Sequence, residues 1–354
     1  MKQISCYEEA IEYLKQKQSL GIKPGLSRIK EALEVLLNPQ DSYKVIHVAG
    51  TNGKGTVAAT IAKALQDNGY KVGLFSSPWV VDYREQIQIN GEFISKDKFW
   101  RAVRALQMID TDCTEFELLC VLAYFCFKIE KVEYAVIECG MGGKDDATNV
   151  EKKNLSVITS ISLDHTDFLG ATLEEIAENK SGILRKNCDC VLYSDEYADI
   201  FKDKCRNLII SPESDNISIV NTALGHLGLS PVKSLVKLPA RQERKGDILF
   251  DGGHNVAAAK MLVPIINDET AVIGMMRDKD IEGYLSIIAL KSKKLICVDV
   301  NNPRAISAKE LESIAKKYCK DVITAKSAKD ALIYNPTLIC GSFYMIREIY
   351  NLIS

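Results

Sequence analysis

The segment Gly50-Thr51-Asn52-Gly53-Lys54-Gly55-Thr56 combines glycines, a lysine and a hydroxyl in an order that suits phosphate chemistry. Glycines let backbone N–H groups close around a phosphate, Lys54 can reach the β- and γ-phosphates, and the Thr56 hydroxyl can bind Mg²⁺. An apolar run, Val45 to Ala49, precedes the segment, and a helical pattern, Val57 to Asn68, follows it. The order of strand, glycine-rich turn and helix predicts an NTP site. A glycine-rich surface turn is the alternative, but it leaves the lysine and the hydroxyl unexplained.

The spacing of this segment departs from the strict Walker pattern. That pattern would place a glycine at Val48 and the hydroxyl directly after Lys54, where Gly55 stands. Ordinary kinases and GTPases are therefore disfavoured.

A second group of candidate residues follows the apolar run that ends at Glu138, namely Cys139-Gly140-Met141-Gly142-Gly143 and Asp146-Ala147-Thr148-Asn149. Ligands of open α/β sheets bind at the carboxyl ends of the strands, so Glu138 is well placed for Mg²⁺. Pairing of Glu138 with a cation such as Lys144 is the structural alternative. The glycines do not follow the dinucleotide fingerprint, so no NAD site is predicted.

Two further segments could supply metal ligands. Ser162-Leu163-Asp164-His165-Thr166-Asp167 follows a predicted strand, where a neutral imidazole can bind a divalent ion, although a lone histidine is more often a turn or core residue. Thr172-Leu173-Glu174-Glu175 is a capping box that predicts a helix reaching Lys180. Taken by itself, Lys180 is a solvated lysine that complements the helix dipole.

A substrate loop is predicted at Ser76-Ser77-Pro78-Trp79, continuing through Arg84 to Asn90-Gly91. The Asn-Gly pair after alternating residues predicts a type I′ hairpin. Trp79 could stack on a flat heterocycle or pack into the core. A second capping box, Thr114-Glu115-Phe116-Glu117, is expected to be structural, with Phe116 as a candidate pocket residue.

Apolar runs rich in Val and Ile alternate with amphipathic stretches, which predicts an α/β fold with mostly parallel strands. A proline-containing and charged stretch places a linker at 237–246, between a first domain at 1–236 and a C-terminal α/β domain at 247–354. The predicted strands are Lys44–Val48, Lys71–Phe75, Glu133–Glu138, Leu155–Ile161, Asp247–Phe250, Ala271–Ile273, Leu295–Val300 and Thr337–Cys340.

The composition of the chain excludes several classes of partner and of site. With 45 basic and 47 acidic side chains the net charge is −2, so neither nucleic acid nor an anionic membrane is the expected partner. The longest apolar run, Leu118 to Phe127, is shorter than the roughly 20 residues that span a bilayer, and Met1 to Ile4 begins no signal peptide. We expect a cytoplasmic monomer. Eleven cysteines without a CxxC pair indicate reduced core thiols, and neither disulfides nor a zinc site.

The phosphate segment, with its glycine after Lys54, resembles the folylpolyglutamate synthase/dihydrofolate synthase branch of the Mur ligases. Tyr7-Glu8-Glu9-Ala10 and Gly21-Ile22-Lys23-Pro24-Gly25-Leu26 with Arg28-Ile29 are similar to that family's N-terminal segment. The resemblance implies a Mur-ligase-like P-loop ATPase domain and a smaller Rossmann-like α/β C-terminal domain. It further implies an ATP-dependent acid–amino-acid ligase that adds L-glutamate to a folate or dihydropteroate carboxylate through an acyl phosphate.

The resemblance also implies roles for individual residues. Asn179 and Ser181 replace the Glu and Ala of the family's Glu-Lys-Ala-Gly-Ile motif around its carbamylated lysine, which is Lys180 here. Lys54, His165 and Lys180 are the expected catalytic residues. Two Mg²⁺ sites are expected, with ligands from Thr56, Ser77, Glu138, His165 and carbamylated Lys180.

Further ATP and substrate contacts come from the same resemblance. Pro239-Ala240-Arg241 with Glu243 is similar to the family's Pro-Gly-Arg-x-Glu, and Asp251-Gly252-Gly253-His254-Asn255 to its Asp-Gly-Ala-His-Asn. The implied ATP-binding residues are Gly50 to Thr56, Asn221, Arg241, Asp251, His254 and Asn255. The implied folate-side residues are Pro78, Trp79, Arg84, Phe116 and Asp146.

Some family features are altered or remain without a role. Trp79 stands where the family commonly has His, Gln86 where it has Arg, and the segment from about Asn187 to Leu238 is shorter than usual. Gly274-Met275-Met276-Arg277-Asp278-Lys279-Asp280 and Gly341-Ser342-Phe343-Tyr344 are similar to family signatures, with strand-end turns as the alternative. Two other functions stay open: a Mur-type ligase acting on a non-folate carboxylate, and a non-catalytic ATP-binding relative.

Overall fold

The computed structural model describes residues 3–21, 23–109 and 112–353. Ile22 of the N-terminal motif lies outside the described residues. The chain divides into two compact units. The first unit comprises Met1–Trp79, Tyr83–Ile161 and Thr172–Val236, and the second comprises Val80–Asp82, Ser162–Ala171 and Lys237–Ser354. The segment that carries His165 thus belongs to the second unit, although it lies in the sequence between parts of the first.

The first unit is built on an eight-stranded sheet, counted over the described residues. Its strands are β1 (Lys44–Ala49), β2 (Val72–Phe75), β3 (Ile87–Ile89), β4 (Glu92–Phe93), β5 (Tyr134–Glu138), β6 (Leu155–Ile158), β7 (Asp189–Leu192) and β8 (Leu208–Ile210). The strand order is β4-β3-β2-β5-β1-β6-β7-β8, in which the six strands from β2 to β8 are parallel and β3 and β4 are added antiparallel.

The helices up to residue 226 follow the predicted alternation with the strands. They are α1 (Tyr7–Gln16), α2 (Ser27–Val35), α3 (Lys54–Asp67), α4 (Lys96–Gln107), α5 (Glu115–Ile129), α6 (Thr166–Leu169), α7 (Leu173–Ser181), α8 (Ala198–Lys202) and α9 (Asn216–His226). Of these, α6 lies in the second unit. Both predicted capping boxes are confirmed, at Thr114 before α5 and at Thr172 before α7.

The second unit contains a six-stranded sheet within its described residues, of order β13-β12-β11-β14-β10-β9. Its elements are β9 (Glu243–Lys245), β10 (Ile248–Asp251), α10 (Val256–Leu262), β11 (Glu269–Ile273), α11 (Ile281–Ile288), β12 (Ser292–Val298), α12 (Ala308–Ala315), β13 (Val322–Ala325), α13 (Ala328–Ala331), β14 (Leu338–Cys340) and α14 (Phe343–Ile349). Residues 243–245, which were expected in the linker, instead form β9 and pair antiparallel with β10. The predicted α/β class is confirmed in both units.

Two local predictions, the hairpin and the free cysteines, are also confirmed. Asn90 and Gly91 have φ values of 50° and 75°, and they join β3 to β4 in an antiparallel hairpin. All eleven cysteines are free thiols, and Cys6 alone among them is not buried. Within the described part of the chain, every helix is too short or too polar to cross a bilayer.

The centre of the first unit is packed tightly enough that single methyl groups matter. A Cβ added to Gly73 in β2 would lie 2.6 Å from the buried ring of Phe127, whereas one added to Gly225 in α9 would meet no heavy atom within 4 Å. We expect Gly73→Ala to lower the free energy of unfolding by about 1–3 kcal/mol through overpacking. Gly225→Ala should raise it by about 0.5–1 kcal/mol, because alanine loses less backbone entropy in a helix.

Urea unfolding of both variants beside the unchanged protein tests this pair. Equal effects of the two substitutions would contradict the packing around Phe127.

Candidate functional site

The candidate site begins at the carboxyl ends of three adjacent parallel strands. β1 lies between β5 and β6, with Val48 in register with both Glu138 and Val157. All residues of β5 and β6 are buried, as expected of strands covered on both faces. Parallel strands end at the same edge of a sheet, so Glu138 and the residues after β6 lie beside the loop that follows β1.

The loop from Gly50 to Thr56 is held by the chain that follows β6. Gly50 has a φ of 145°, and a Cβ there would lie 1.8 Å from Oγ1 of Thr159, so only glycine fits. The N–H of Thr51 donates to the carbonyl of Ser160 at 2.7 Å, and the Thr159 hydroxyl donates to the carbonyl of Asn52 at 2.8 Å. These contacts fix the loop ahead of α3, whose N-terminus then faces the space where a phosphate would bind.

Two lysines converge on this loop. Nζ of Lys54 lies 3.2 Å from the carbonyl oxygen of Gly50 and 3.0 Å from that of Thr51. Nζ of Lys180 lies 2.8 Å from the Gly50 oxygen, and Lys180 is only 2% exposed. The prediction that Lys180 is a solvated lysine is therefore wrong, because this side chain extends from the end of α7 to the phosphate loop.

Glu138 is placed where a metal ligand was expected. It is 3% exposed at the end of β5, and its Oε2 accepts a hydrogen bond of 3.0 Å from the N–H of Ser77. The carboxylate of Glu138 and the hydroxyls of Ser77 and Thr56 are hard oxygen donors, which Mg²⁺ prefers. The donor types and the fixed carboxylate fit a magnesium site.

The turn after Glu138 is organised by Asp146 and Asn149. The Asp146 carboxylate accepts hydrogen bonds from the N–H groups of Met141 and Thr148 and from the Thr148 hydroxyl. The Asn149 amide donates to the carbonyls of Lys144 and Gly182 at 3.0 and 3.1 Å. Asp146, expected on the folate side, therefore shapes its own turn, and Asn149 fastens that turn to the residues just after Lys180.

A buried ionic group beneath this turn was missed by the sequence reasoning. On β1, His47 Nε2 lies 2.8 Å from the Thr148 hydroxyl, and its Nδ1 lies 3.0 Å from Oε1 of Glu151. Lys153 lies on the other side of Glu151, with its Nζ at 3.9 Å. Burial alone would raise the pKa of Glu151, but the charges of His47 and Lys153 hold it at about 2. A histidine inside an otherwise apolar strand was the available signal.

The expected folate-side residues lie on and near the loop after β2. Pro78 is exposed, whereas Trp79 packs against the core of the first unit with its ring centroid 5.7 Å from that of Tyr83. The Arg84 guanidinium donates to the carbonyl of Ile94 at 3.2 Å. The Phe116 ring covers Gly140, where a Cβ would lie 2.4 Å from it. Trp79 is thus partly buried and partly exposed. This position is compatible with packing into the core and with stacking on a flat heterocycle.

The side-chain amide of Asn216 lies beside the phosphate loop. Its Oδ1 would lie 2.5 Å from a Cβ on Gly53, which has a φ of 85°. Asn221, the expected ATP residue, exchanges two hydrogen bonds with the backbone of Val232, at 2.8 and 3.2 Å, and its role in ATP binding stays a prediction. Both residues lie on α9, and spacing along the sequence did not indicate which one faces the loop.

The second unit holds the remaining expected ATP residues. The Arg241 guanidinium lies 3.8 Å from the ring centroid of Phe343. Asp251 accepts hydrogen bonds from the N–H groups of Gln242 and Gly253, and burial raises its pKa. Asn255 caps α10 by accepting from the N–H of Ala258 at 2.9 Å. These contacts hold the turns at Arg241 and at Asp251–Asn255 in fixed conformations. A binding site needs such fixed turns to position its side chains.

His165 also lies in the second unit, at a left-handed position with a φ of 50°. Together with Asp164 and His254 it forms a group whose donor atoms lie within 4.8 Å of one another, a spacing that could hold a metal ion. The ammonium of Lys279 already lies in this group, 2.7 Å from Oδ1 of Asp164 and 3.2 Å from Nε2 of His165.

Known proteins are similar to this chain in sequence and in fold. Residues 48–218 match the family model of the Mur ligase middle domain. A probable dihydrofolate synthetase of Schizosaccharomyces pombe is 31% identical, with 94% of this chain and 99% of that protein covered. Escherichia coli FolC, solved in complex with DHPP and ADP, is 26% identical over 99% of both chains with a TM-score of 0.87. A bifunctional folylpolyglutamate synthase/dihydrofolate synthase of Yersinia pestis, complexed with AMPPNP and a Mn ion, is also 26% identical, with a TM-score of 0.86 and 99% of both chains covered.

The two α/β units and the phosphate loop define a Mur-type ligase. Within that class, the chain belongs to the dihydrofolate synthase/folylpolyglutamate synthase family. The resemblance read from the sequence is thereby confirmed.

Proposed function

We propose that this chain is an ATP-dependent ligase that joins the amino group of L-glutamate to the carboxylate of a folate-type acceptor. The observation that carries the proposal is the edge formed by β5, β1 and β6. There Lys54 and the buried Lys180 both contact carbonyls of the phosphate loop, and Glu138 ends the neighbouring strand β5. A protein that only binds ATP would not need the buried second lysine and the fixed carboxylate.

A carboxylate does not react with an amine in water, because its oxygen is a poor leaving group. In the proposed reaction the acceptor carboxylate attacks the γ-phosphorus of ATP, ADP leaves, and an acyl phosphate forms. The glutamate amine then attacks the acyl carbon, a tetrahedral intermediate forms, and phosphate leaves as the amine loses a proton. Lys54 and the N–H groups of the loop stabilise the charge on the transferred phosphoryl group.

The metal ligands proposed for the first unit are Thr56, Ser77 and Glu138, with Lys180 as a carbamate. Magnesium bound there would neutralise phosphate charge and hold the oxygens in place. A carbamate on Lys180 retains one N–H, so its hydrogen bond to the Gly50 carbonyl can persist. A second Mg²⁺ is proposed to be held by Glu138, the carbamate of Lys180 and His165.

The remaining assignments rest on the family. The residues proposed to bind ATP are Asn221, Arg241, Asp251, His254 and Asn255. Those proposed to bind the folate side are Pro78, Trp79, Arg84, Phe116 and Asp146. Asn216 is added to the nucleotide residues because of its contact with Gly53. We also propose that the protein acts as a monomer in the cytoplasm.

The proposal is tested by mass spectrometry of the purified chain incubated with ATP, Mg²⁺ and L-glutamate. Dihydropteroate and tetrahydrofolate are supplied as acceptors in separate reactions, and the expected product carries one added glutamyl unit in at least one of them. Omission of ATP is the matched control and should abolish the product.

A third reaction with a muramyl-peptide acceptor separates the main alternative. Ligation of that acceptor alone would identify a Mur-type ligase of another substrate class. ATP binding without any amide product would instead identify a non-catalytic relative and overturn the proposal.

A further inference from the structure

The loop that carries His165 is fastened from within the second unit by a lysine to which the sequence assigned no function. Lys279 belongs to the motif Gly274–Asp280, which follows β11. Its Nζ lies 2.7 Å from Oδ1 of Asp164 and 3.2–3.3 Å from both ring nitrogens of His165. A single ammonium thus contacts two consecutive residues of a loop that is 114 residues distant in the sequence.

The ion pair between Lys279 and Asp164 is buried, which makes its loss costly. The side chains of Lys279 and Asp164 are only 5% and 9% exposed. A buried ammonium is costly unless it is paired, and removing one member of such a pair leaves the other charge uncompensated. A second hydrogen bond of 2.9 Å, from the Asn255 amide to Oδ2 of Asp164, completes the anchorage of the carboxylate.

The carboxylate also fixes the backbone of the loop. Oδ1 of Asp164 accepts the N–H of His165 at 2.9 Å, and the carbonyl of His165 in turn accepts the N–H groups of Phe168 and Leu169. The side chains of Leu163 and Phe168 are 52% and 48% exposed, so apolar packing next to His165 is weak, whereas Leu169 at the end of α6 is buried. The left-handed backbone of His165 therefore depends on the polar contacts around Asp164.

The same geometry explains why Asp164, His165 and His254 are not a metal site by themselves. Their donor atoms are close enough for an ion, but the ammonium of Lys279 already supplies the positive charge that they would attract.

We propose that Lys279 is a positioning residue, which holds the Asp164–His165 loop in its left-handed backbone conformation in the ligand-free protein. The kinetic part of this inference rests on the proposed function, whereas its structural part does not. Arg277, two residues away, provides a matched control, because it is also basic but forms an exposed pair with Glu310.

The structural part is tested by hydrogen–deuterium exchange in the ligand-free protein. Lys279→Gln should speed exchange of the Phe168 and Leu169 amides at least about tenfold, since their opening then costs less. Lys279→Arg should restore much of the protection, and Arg277→Gln should leave it unchanged. Unchanged exchange in Lys279→Gln would overturn the proposal.

A second variant keeps the test decisive if Lys279→Gln does not fold. Asp164→Asn preserves the shape of the side chain and removes the charge that Lys279 pairs with, so the same amides should exchange faster. If both variants fold, their effects should be less than additive, because they remove one shared interaction. Full protection in Asp164→Asn would overturn the proposal.

The kinetic part is measured as the ligation rate at saturating Mg²⁺. Lys279→Gln should reduce kcat roughly tenfold, with little change in the KM for ATP, because the loop is then held less precisely. A loosened loop with an unchanged kcat would overturn the kinetic part. If the unchanged protein itself forms no amide, the proposed function fails, and the exchange measurement still decides whether Lys279 holds the loop.

Discussion

Replacement of Lys54 by alanine is expected to reduce ATP-dependent ligation roughly 10³-fold while the fold is preserved. Lys54 is the first residue of α3, and its ammonium already contacts two carbonyls of the phosphate loop. Its loss removes a preorganised positive charge from the phosphoryl group that is transferred, a change that typically costs 10²–10³ in rate. Alanine is a good helix former, so α3 should remain.

The matched control for this prediction is Lys63→Ala on the same helix. Lys63 is 54% exposed and pairs with Asp67 one turn later, an interaction worth little to stability. Product formation by mass spectrometry and circular dichroism of both variants provide the comparison. Near-normal ligation by the Lys54 variant would refute the phosphate site.

Glu138→Gln is expected to lower ligation roughly 10²-fold and to raise the Mg²⁺ concentration needed for half-maximal rate. The amide oxygen of glutamine can still accept the hydrogen bond from Ser77, so the substitution isolates the charge from the shape. A neutral amide is a weaker ligand for a hard cation than a carboxylate, which is why the metal requirement should rise.

Glu133→Gln, just before the start of β5, is the control, because Glu133 is exposed and accepts the N–H of Lys71. Rate measurements over a Mg²⁺ series compare the two variants. If both respond alike, Glu138 has no special part in metal binding.

Strands with strong local signals could be predicted from the sequence. β1, the glycine-rich turn and α3 follow each other within the 24 residues from Lys44 to Asp67, so local pattern alone determines their order. β7 and β8 were not predicted, although the equally short β6 and β14 were, so the length of a strand does not by itself decide whether the sequence reveals it. β9 was assigned to a linker, since the charges of Glu243–Lys245 hid a strand paired with β10.

The contacts of individual side chains were harder to predict from the sequence than the helices and strands. The helix ending at Lys180 was predicted, but the burial of its lysine depends on the distant carbonyl of Gly50. The attachment of His165 to the second unit depends on Lys279 more than a hundred residues later. The choice between Asn216 and Asn221 depends on how α9 is rotated against α3. Each of these is a long-range contact that no local pattern encodes.

The buried group of His47, Glu151 and Lys153 has a consequence for how this sequence can diverge. Loss of one member strands an opposite charge in a medium that solvates it poorly, whereas replacing all three by apolar side chains of similar volume need not weaken the fold. Sequences that diverge from this chain should therefore keep all three residues or replace all three together. The three positions are expected to covary strongly among related sequences.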